Sequence, residues 1–352
     1  MNNLIAFPII RYLLVLTVSA LAARILIPLA HLLGRRMNAW DAPDDLSHDT
    51  HVFKLVRTGG IAIMGGIYVG RMVTLMIQPE VFATRNMAGV MLGGFAVFVV
   101  GLLDDLREIA PWLKAVLLLA ACLVTAMLLN AVRLTGFERL DFLLVALILM
   151  GGANAFNLMD GLDGLAAGMA IAACLGLLAL SLRLQLAEGG CIPMVIIGTM
   201  LSFLYFNLPP ARIFMGDCGS LLLGFHLAGM GLSVAASGPR AFIPVLLVFS
   251  PFMLDTALAI SRRLLSRRDV FTGDRRHTYD MLHLRFLSAW RVDMVMWGMG
   301  VAFAALGLIA VPLKPWWQAA LLAGSWLAVV LWMVRLGMFR PAAKDGEKAG
   351  SY

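Results

Sequence analysis

Apolar runs of about 20 residues recur along the whole of this chain, and that repeated demand for hydrocarbon is its strongest constraint. In lipid every backbone N–H and C=O must be satisfied internally, so runs of this length fold as membrane-crossing helices. Eleven spans are predicted, at about residues 10–33, 59–77, 87–103, 112–130, 141–158, 164–183, 193–208, 219–236, 241–262, 292–312 and 317–336. Composition agrees: 61% of residues are hydrophobic and 14% are charged, too little polar surface to coat a soluble globule. The predicted fold is all-α, a polytopic transmembrane helical bundle. The first run is long and holds Arg11 and Arg24, unlike a cleaved leader, so it is expected to stay as a helix. Cys122, Cys174, Cys191 and Cys218 are scattered without a C-x-x-C pair, and buried free thiols are expected.

An odd number of spans puts the termini on opposite faces. Connections after spans one, three, five, seven and nine, with the C-terminal tail, hold 17 Lys and Arg, against six on the other side. The positive-inside bias makes the first set cytoplasmic, with the N-terminus outside and the C-terminus inside. Anionic headgroups and phosphorylated metabolites are then natural partners for the basic face, unless that basicity is a topology signal alone.

The acids follow the same map. Asp104 and Asp105 close span three ("GLLDDLREI"), Asp160 and Asp163 close span five, Asp217 follows span seven ("FMGDCGS"), and the polar run "TGDRRHTYDMLH" follows span nine. A proton- or ion-coupled transporter, the main rival reading, is expected to hold its ionisable groups near the bilayer midplane. Here they gather at one interface, where a wet site can receive them.

The stretch "NAFNLMDGLDGLAAGM", residues 154–169, carries the densest signal. At about 100° per residue, Asn154, Asn157 and Asp160 form a slowly drifting polar stripe, while Asp163 would lie on the opposite side of a continued helix. Gly161 and Gly164 can break or cap that helix and redirect Asp163. A polar helix end that meets water is the bland alternative, but it leaves the recurrence at Asp104–Asp105 and Asp217 unexplained.

Separated carboxylates at a membrane surface suit Mg²⁺, a hard ion usually held by one or two carboxylates together with substrate phosphates. Phosphoryl transfer from a diphosphate substrate would use such an ion, with basic side chains on the remaining oxygens. No H-E-x-x-H, G-x-x-x-x-G-K-[ST] or G-x-S-x-G competes.

Taken together, "DD" after span three, "NAFNLMDGLDGLAAG", "FMGDCGSLLLG" and a His-containing loop before the last spans resemble the polyprenyl-phosphate N-acetylhexosamine-1-phosphate transferases, over about residues 35–290. That family initiates O-antigen, common-antigen and teichoic-acid linkage units and includes the peptidoglycan lipid I translocase. The resemblance implies transfer of a sugar 1-phosphate from a UDP-N-acetylhexosamine to undecaprenyl phosphate, with release of UMP and a need for Mg²⁺ or Mn²⁺. It also implies one integral-membrane transferase domain over residues 1–340, a short flexible cytoplasmic tail over 341–352, and residence in the bacterial inner membrane with the site facing the cytoplasm. Expected partners are the donor, the lipid acceptor, the bilayer and a second copy of the chain in a homodimer, and not nucleic acid.

By resemblance, Asp104 deprotonates or orients the lipid phosphate, or serves as nucleophile in a two-step scheme, and Asp105 supports it or the metal. Asp217 is the firmest Mg²⁺ ligand candidate; a cap on span eight is the lesser alternative and does not exclude metal binding. Asn157 and Asp160 are expected beside the metal and diphosphate, Asn157 as a possible ligand, and Asp163 near the uracil. "WDAPDDLSHDTHVFKLVRTGG" is similar to the family's first cytoplasmic loop through Asp41, Pro43, His51, Arg57 and Gly59–Gly60, with Val56 where many members have Pro. His51, Lys54 and Arg57 are candidate donor contacts; Lys54 and Arg57 suit snorkelling interfacial charges as well. In "GDRRHTYDMLHLRF" only His277 and His283 stand where other branches have His clusters, which disfavours the peptidoglycan substrate. His277 with Arg275 and Arg276 is expected to contact the diphosphate, against the alternative of a solvated basic loop. His31 and His226 lie in spans and are expected to pack or hydrogen-bond between helices.

Overall fold

The computed structural model describes residues 2–41, 54–79, 85–129, 132, 134–186, 190–265, 277–286 and 288–339. Among these, twelve helices follow one another: α1 (Asn2–Arg36), α2 (Gly59–Ile77), α3 (Arg85–Arg107), α4 (Pro111–Leu128), α5 (Glu138–Met159), α6 (Leu165–Arg183), α7 (Cys191–Asn207), α8 (Gly216–Ala235), α9 (Pro239–Leu265), α10 (Thr278–Phe286), α11 (Ala289–Ala310) and α12 (Pro315–Arg335). A two-residue ribbon, β1 (Trp40–Asp41) against β2 (Leu55–Val56), pairs Trp40 with Val56 antiparallel between α1 and α2.

The protein is a multi-pass membrane helical bundle. Each predicted span coincides with a helix, and ten of the helices are long and apolar enough to cross a membrane. The eleventh expected span falls on α7, which has 17 residues and so a length of about 26 Å. Gly190 before it and Pro209–Pro210 after it set those limits. One helix was not expected: α10 forms inside the polar run after α9. All four cysteines are free and buried, as expected.

Helix starts follow local chemistry. α4 and α12 begin at Pro111 and Pro315, where a missing N–H costs nothing and the fixed φ suits the first turn. Gly164 takes a left-handed φ of 80° just before α6, so the polar stripe ends at Met159 and Asp163 leaves the helix in a turn.

α8 is the hub. It is apolar all round, almost wholly buried, and packs on α2, α3, α5, α6 and α9. Its first turn is gripped by two backbones at glycines: a Cβ on Gly101 of α3 would meet the Asp217 carbonyl oxygen at 2.5 Å, and one on Gly60 of α2 would meet Cys218 Sγ at 2.5 Å. Small residues thus set how close the neighbouring helices come, as is usual where lipid supplies no hydrophobic drive. The largest apolar core joins α1, α2, α6, α7, α8 and α11. A second, around Leu118, Val145, Leu149 and Phe225, ties α3, α4 and α5 to α8.

Candidate active site

The hub position of α8 brings the ends of four other helices to its N-terminus. Residues 214–215 run beside the start of α2, with Gly59 N donating to Phe214 O and Gly60 N to Met215 O, both at 2.9 Å. Phe214 N donates to Val56 O at 3.0 Å. Arg57 is therefore carried to the same place, and its carbonyl lies 3.8 Å from Cys218 Sγ.

Asp105, in the last turn of α3, accepts the backbone N–H of Asp217 at 2.8 Å and of Cys218 at 2.9 Å. α8 has no side-chain cap of its own, so a carboxylate from another helix satisfies its orphan donors and faces its positive dipole end. Asp104, one residue earlier, points elsewhere. Its Oδ1 accepts Ile109 N at 2.9 Å and closes the turn into α4, and its Oδ2 pairs with Lys114 Nζ at 2.9 Å.

Lys114 is the link between clusters that are far apart in sequence. The same ammonium pairs with Asp217 Oδ2, so Asp104 and Asp217 share one cation. From α5, Asn157 Nδ2 donates to Asp217 Oδ1 and to Ser220 Oγ, both at 2.8 Å. Both oxygens of Asp217 are thus oriented by protein.

Asp160 terminates α5, and among the described residues its carboxylate has neither a hydrogen bond nor an ion pair. Burial raises its carboxyl well above the usual carboxylate range, and the charges of Asp217, Asp105 and Asp163 push the same way. A carboxylate left without a counter-ion near three others is the setting a hard cation relieves. Among the described residues no group of three or more His, Cys, Asp or Glu could hold a metal unaided. That matches an ion of the Mg²⁺ type, which takes one or two carboxylates and fills the rest with phosphate oxygens and water. Asp217 and Asp160 offer the oxygens such an ion could use, while both oxygens of Asp104 are taken by Ile109 N and Lys114. Asn157 turns its amide nitrogen toward Asp217, so only its Oδ1 is left for a metal.

Asp163 sits apart from this group, 4% exposed, with its Oδ2 accepting Ala211 N at 2.9 Å. Asn207 fixes the adjoining turn, accepting Gly164 N at 3.1 Å and donating to Ile213 O at 3.0 Å. The loops after α5 and α7 are laced together there.

His277 is no solvated loop residue: it is 3% exposed. Asp255 of α9 binds its Nδ1 at 2.8 Å and accepts Thr278 N at 2.6 Å, holding both the imidazole and the start of α10. The His277 ring stacks on Tyr279 at 5.5 Å, and the Tyr279 hydroxyl donates to Leu158 O at 3.2 Å, two residues before Asp160. α10 is in this way fastened to the site from two directions. Lys54 is exposed at the start of β2. His51, Arg275 and Arg276 lie outside the described residues.

Four polar side chains escaped the sequence reading. Lys114, Asp255 and Asp293 each sit inside a predicted apolar span, where an ionisable residue marks a partner or a wet cavity. Ser220 had no signal beyond its place one turn after Asp217. Asp293 is fully buried near Gly164, and among the described residues neither of its oxygens has a hydrogen-bond partner. His226 behaves as expected, buried and 3.4 Å from Arg71 through Nδ1.

Residues 87–235, which hold α8 and the ends of α3, α4 and α5, match the glycosyl transferase family 4. The chain is 29% identical over 320 residues to a probable undecaprenyl-phosphate N-acetylglucosaminyl 1-phosphate transferase of Bacillus subtilis, covering 85% of each protein. It is 31% identical over 318 residues to the decaprenyl-phosphate N-acetylglucosaminephosphotransferase of Mycobacterium tuberculosis, covering 79% of this chain and 78% of that one. A phospho-N-acetylmuramoyl-pentapeptide-transferase of Bacillus cytotoxicus is 28% identical over 280 residues, or 72% of this chain and 84% of its own length. On these similarities and on the cluster they enclose, the chain belongs to glycosyl transferase family 4.

Proposed function

We propose that this protein transfers an N-acetylhexosamine 1-phosphate from a UDP-N-acetylhexosamine to undecaprenyl phosphate, giving undecaprenyl-diphospho-N-acetylhexosamine and UMP. This is the initiating step of a bacterial surface glycan, an O-antigen or related polysaccharide. The observation that carries the reading is the sharing of Lys114 by Asp104 and Asp217, with Asn157, Asp105 and Asp160 around them. Carboxylates at helix ends, gathered by one lysine, suit two anionic substrates better than they suit an ion path through the bilayer. The basic connections on the same side support a cytoplasmic-facing site.

The chain's own residues divide the work. An oxygen of the lipid phosphate attacks the β-phosphorus of the donor, and UMP leaves. Asp104, steadied by Lys114 and the Ile109 amide, is placed to take or hold the acceptor's proton. Asp217, with Asp160 beside it, would hold Mg²⁺ or Mn²⁺, which when bound supplies charge neutralisation of the diphosphate. His277, oriented by Asp255, and Arg57 are assigned to the donor diphosphate, and Asp163 lies at the loop expected to receive the uracil. Aligning two anions and cancelling their repulsion carries most of the rate in such a reaction.

The tail has a place to lie. Between α5, α8 and α9 runs an apolar cavity of about 430 Å³, with Phe156, Leu227 and Phe252 on its walls. Met253, Ile260 and Phe242 at its margin are exposed on the membrane-facing surface. It suits an isoprenoid chain entering sideways.

The test is an assay with purified protein, undecaprenyl phosphate, Mg²⁺ and a panel of radiolabelled UDP-N-acetylhexosamines. UMP and a lipid-linked sugar are expected with one donor preferred, and EDTA is expected to stop both until Mg²⁺ or Mn²⁺ is restored. Binding without UMP release from any donor would remove the proposal.

A further inference from the structure

Arg24 lies inside the first span, about three turns before the end of α1, and its side chain is exposed on the flank of the bundle. Leu21, Ile25 and Leu201 around it are exposed apolar side chains, so this flank faces hydrocarbon. A guanidinium there is costly unless it finds aromatic faces or an anion. It finds the first: its Cζ lies 4.8 Å from the Tyr205 ring centroid and 5.3 Å from that of Phe206.

A second guanidinium converges on the same ring. Arg212, in the loop after α7, is exposed and places its Cζ 6.0 Å from the Tyr205 centroid. Neither side chain has a hydrogen bond or ion pair among the described residues. Two cations held to one ring without a carboxylate repel each other, and the ring faces leave their N–H donors unfilled. A phosphate between them would cancel the repulsion and accept those donors in the planar geometry that arginine offers.

The cluster lies below the helix ends, where long arginine side chains reach toward the interface. Ala30 of α1 accepts Thr58 Oγ1 at 2.8 Å, which sets it level with the start of α2. Arg24 lies about 9 Å deeper along the helix, beside the last turn of α7. The cluster is therefore at the end of the bundle that carries Asp104 and Asp217, but on the outer α1–α7 flank and away from the apolar cavity between α5, α8 and α9. We propose that Arg24, Arg212 and Tyr205 form a binding site for the phosphate of an anionic phospholipid in the leaflet on the candidate site's side. The site stands apart from the transferase reading and survives its failure.

Native mass spectrometry of the full chain in mild detergent tests this, titrating phosphatidylglycerol against phosphatidylcholine. One phosphatidylglycerol is expected to be retained in preference to phosphatidylcholine, with affinity about fivefold weaker for each of Arg24→Gln and Arg212→Gln. Arg212 is exposed and outside any helix, so Arg212→Gln reads the site even should Arg24→Gln fail to fold. Excess inorganic phosphate is expected to leave the bound lipid in place. Equal retention of phosphatidylcholine, unchanged binding by Arg212→Gln, or displacement by inorganic phosphate overturns the proposal. Preferential displacement by undecaprenyl phosphate also overturns it, and marks a second acceptor site instead.

Discussion

Asp105 on α3 accepts the backbone N–H of Asp217 on α8 at 2.8 Å, so the carboxylate next to the candidate base caps the helix that carries the candidate metal ligand. The two neighbouring aspartates of "DD" thus do different work: Asp105 caps α8, and Asp104 closes the turn into α4 and pairs with Lys114.

That division predicts a split between stability and turnover. Asp105→Ala should destabilise the protein by about 0.5–2 kcal/mol, the usual cost of losing a helix cap. Asp104→Asn keeps one of two acceptors, for Ile109 or for Lys114, and should lower the melting temperature less than Asp105→Ala, while turnover falls roughly 100-fold or more. Thermal unfolding in detergent beside the radiolabel assay separates the two; equal melting losses would refute the assignment.

Lys114 occupies an oxygen on each of two carboxylates that a divalent ion could use. Lys114→Met should therefore bind Mg²⁺ more tightly, since a like charge is gone and two oxygens are released. Turnover should nonetheless drop roughly tenfold or more, because Asp104 and Asp217 lose a charged hydrogen-bond partner. Isothermal titration calorimetry reads the first effect; weaker Mg²⁺ binding would show that the lysine does not compete with the ion.

Asp255 acts through His277. Asp255→Asn retains an acceptor for Thr278 but no longer holds the imidazole with a carboxylate, so its turnover should match that of His277→Ala. The double variant should be no worse than either alone, because contacting residues in one network are not additive. Additive losses would make Asp255 a separate contributor. Asp255→Ala should also cost about 3 kcal/mol or more, as removal of one partner of a buried pair does.

Asp293 predicts a gain. Among the described residues its buried carboxylate has no hydrogen-bond partner, so Asp293→Leu should stabilise the protein by about 1 kcal/mol or more through removal of a desolvation cost. The melting temperature is the readout, and a fall would point to a partner for this carboxyl in the working protein.

The bundle itself was legible in the sequence, because lipid imposes its requirement locally: each span must satisfy its own backbone and offer apolar side chains, whatever the neighbours do. Parity of the spans then set Asp104, Asp105, Asp160 and Asp217 on one side, and Gly164 announced where the polar stripe of α5 breaks. Tertiary structure alone decided which oxygens meet which donors. Lys114 meets both carboxylates only because α3 and α8 bring Asp104 and Asp217 to it, and Asp105 becomes a cap only because Gly101 lets α3 approach the backbone of Asp217. His277 reads as part of a basic loop until Asp255, 22 residues earlier, draws it into the protein. Such pairings depend on helix rotation and on the approach of backbones across distant segments. Hydropathy constrains those only weakly.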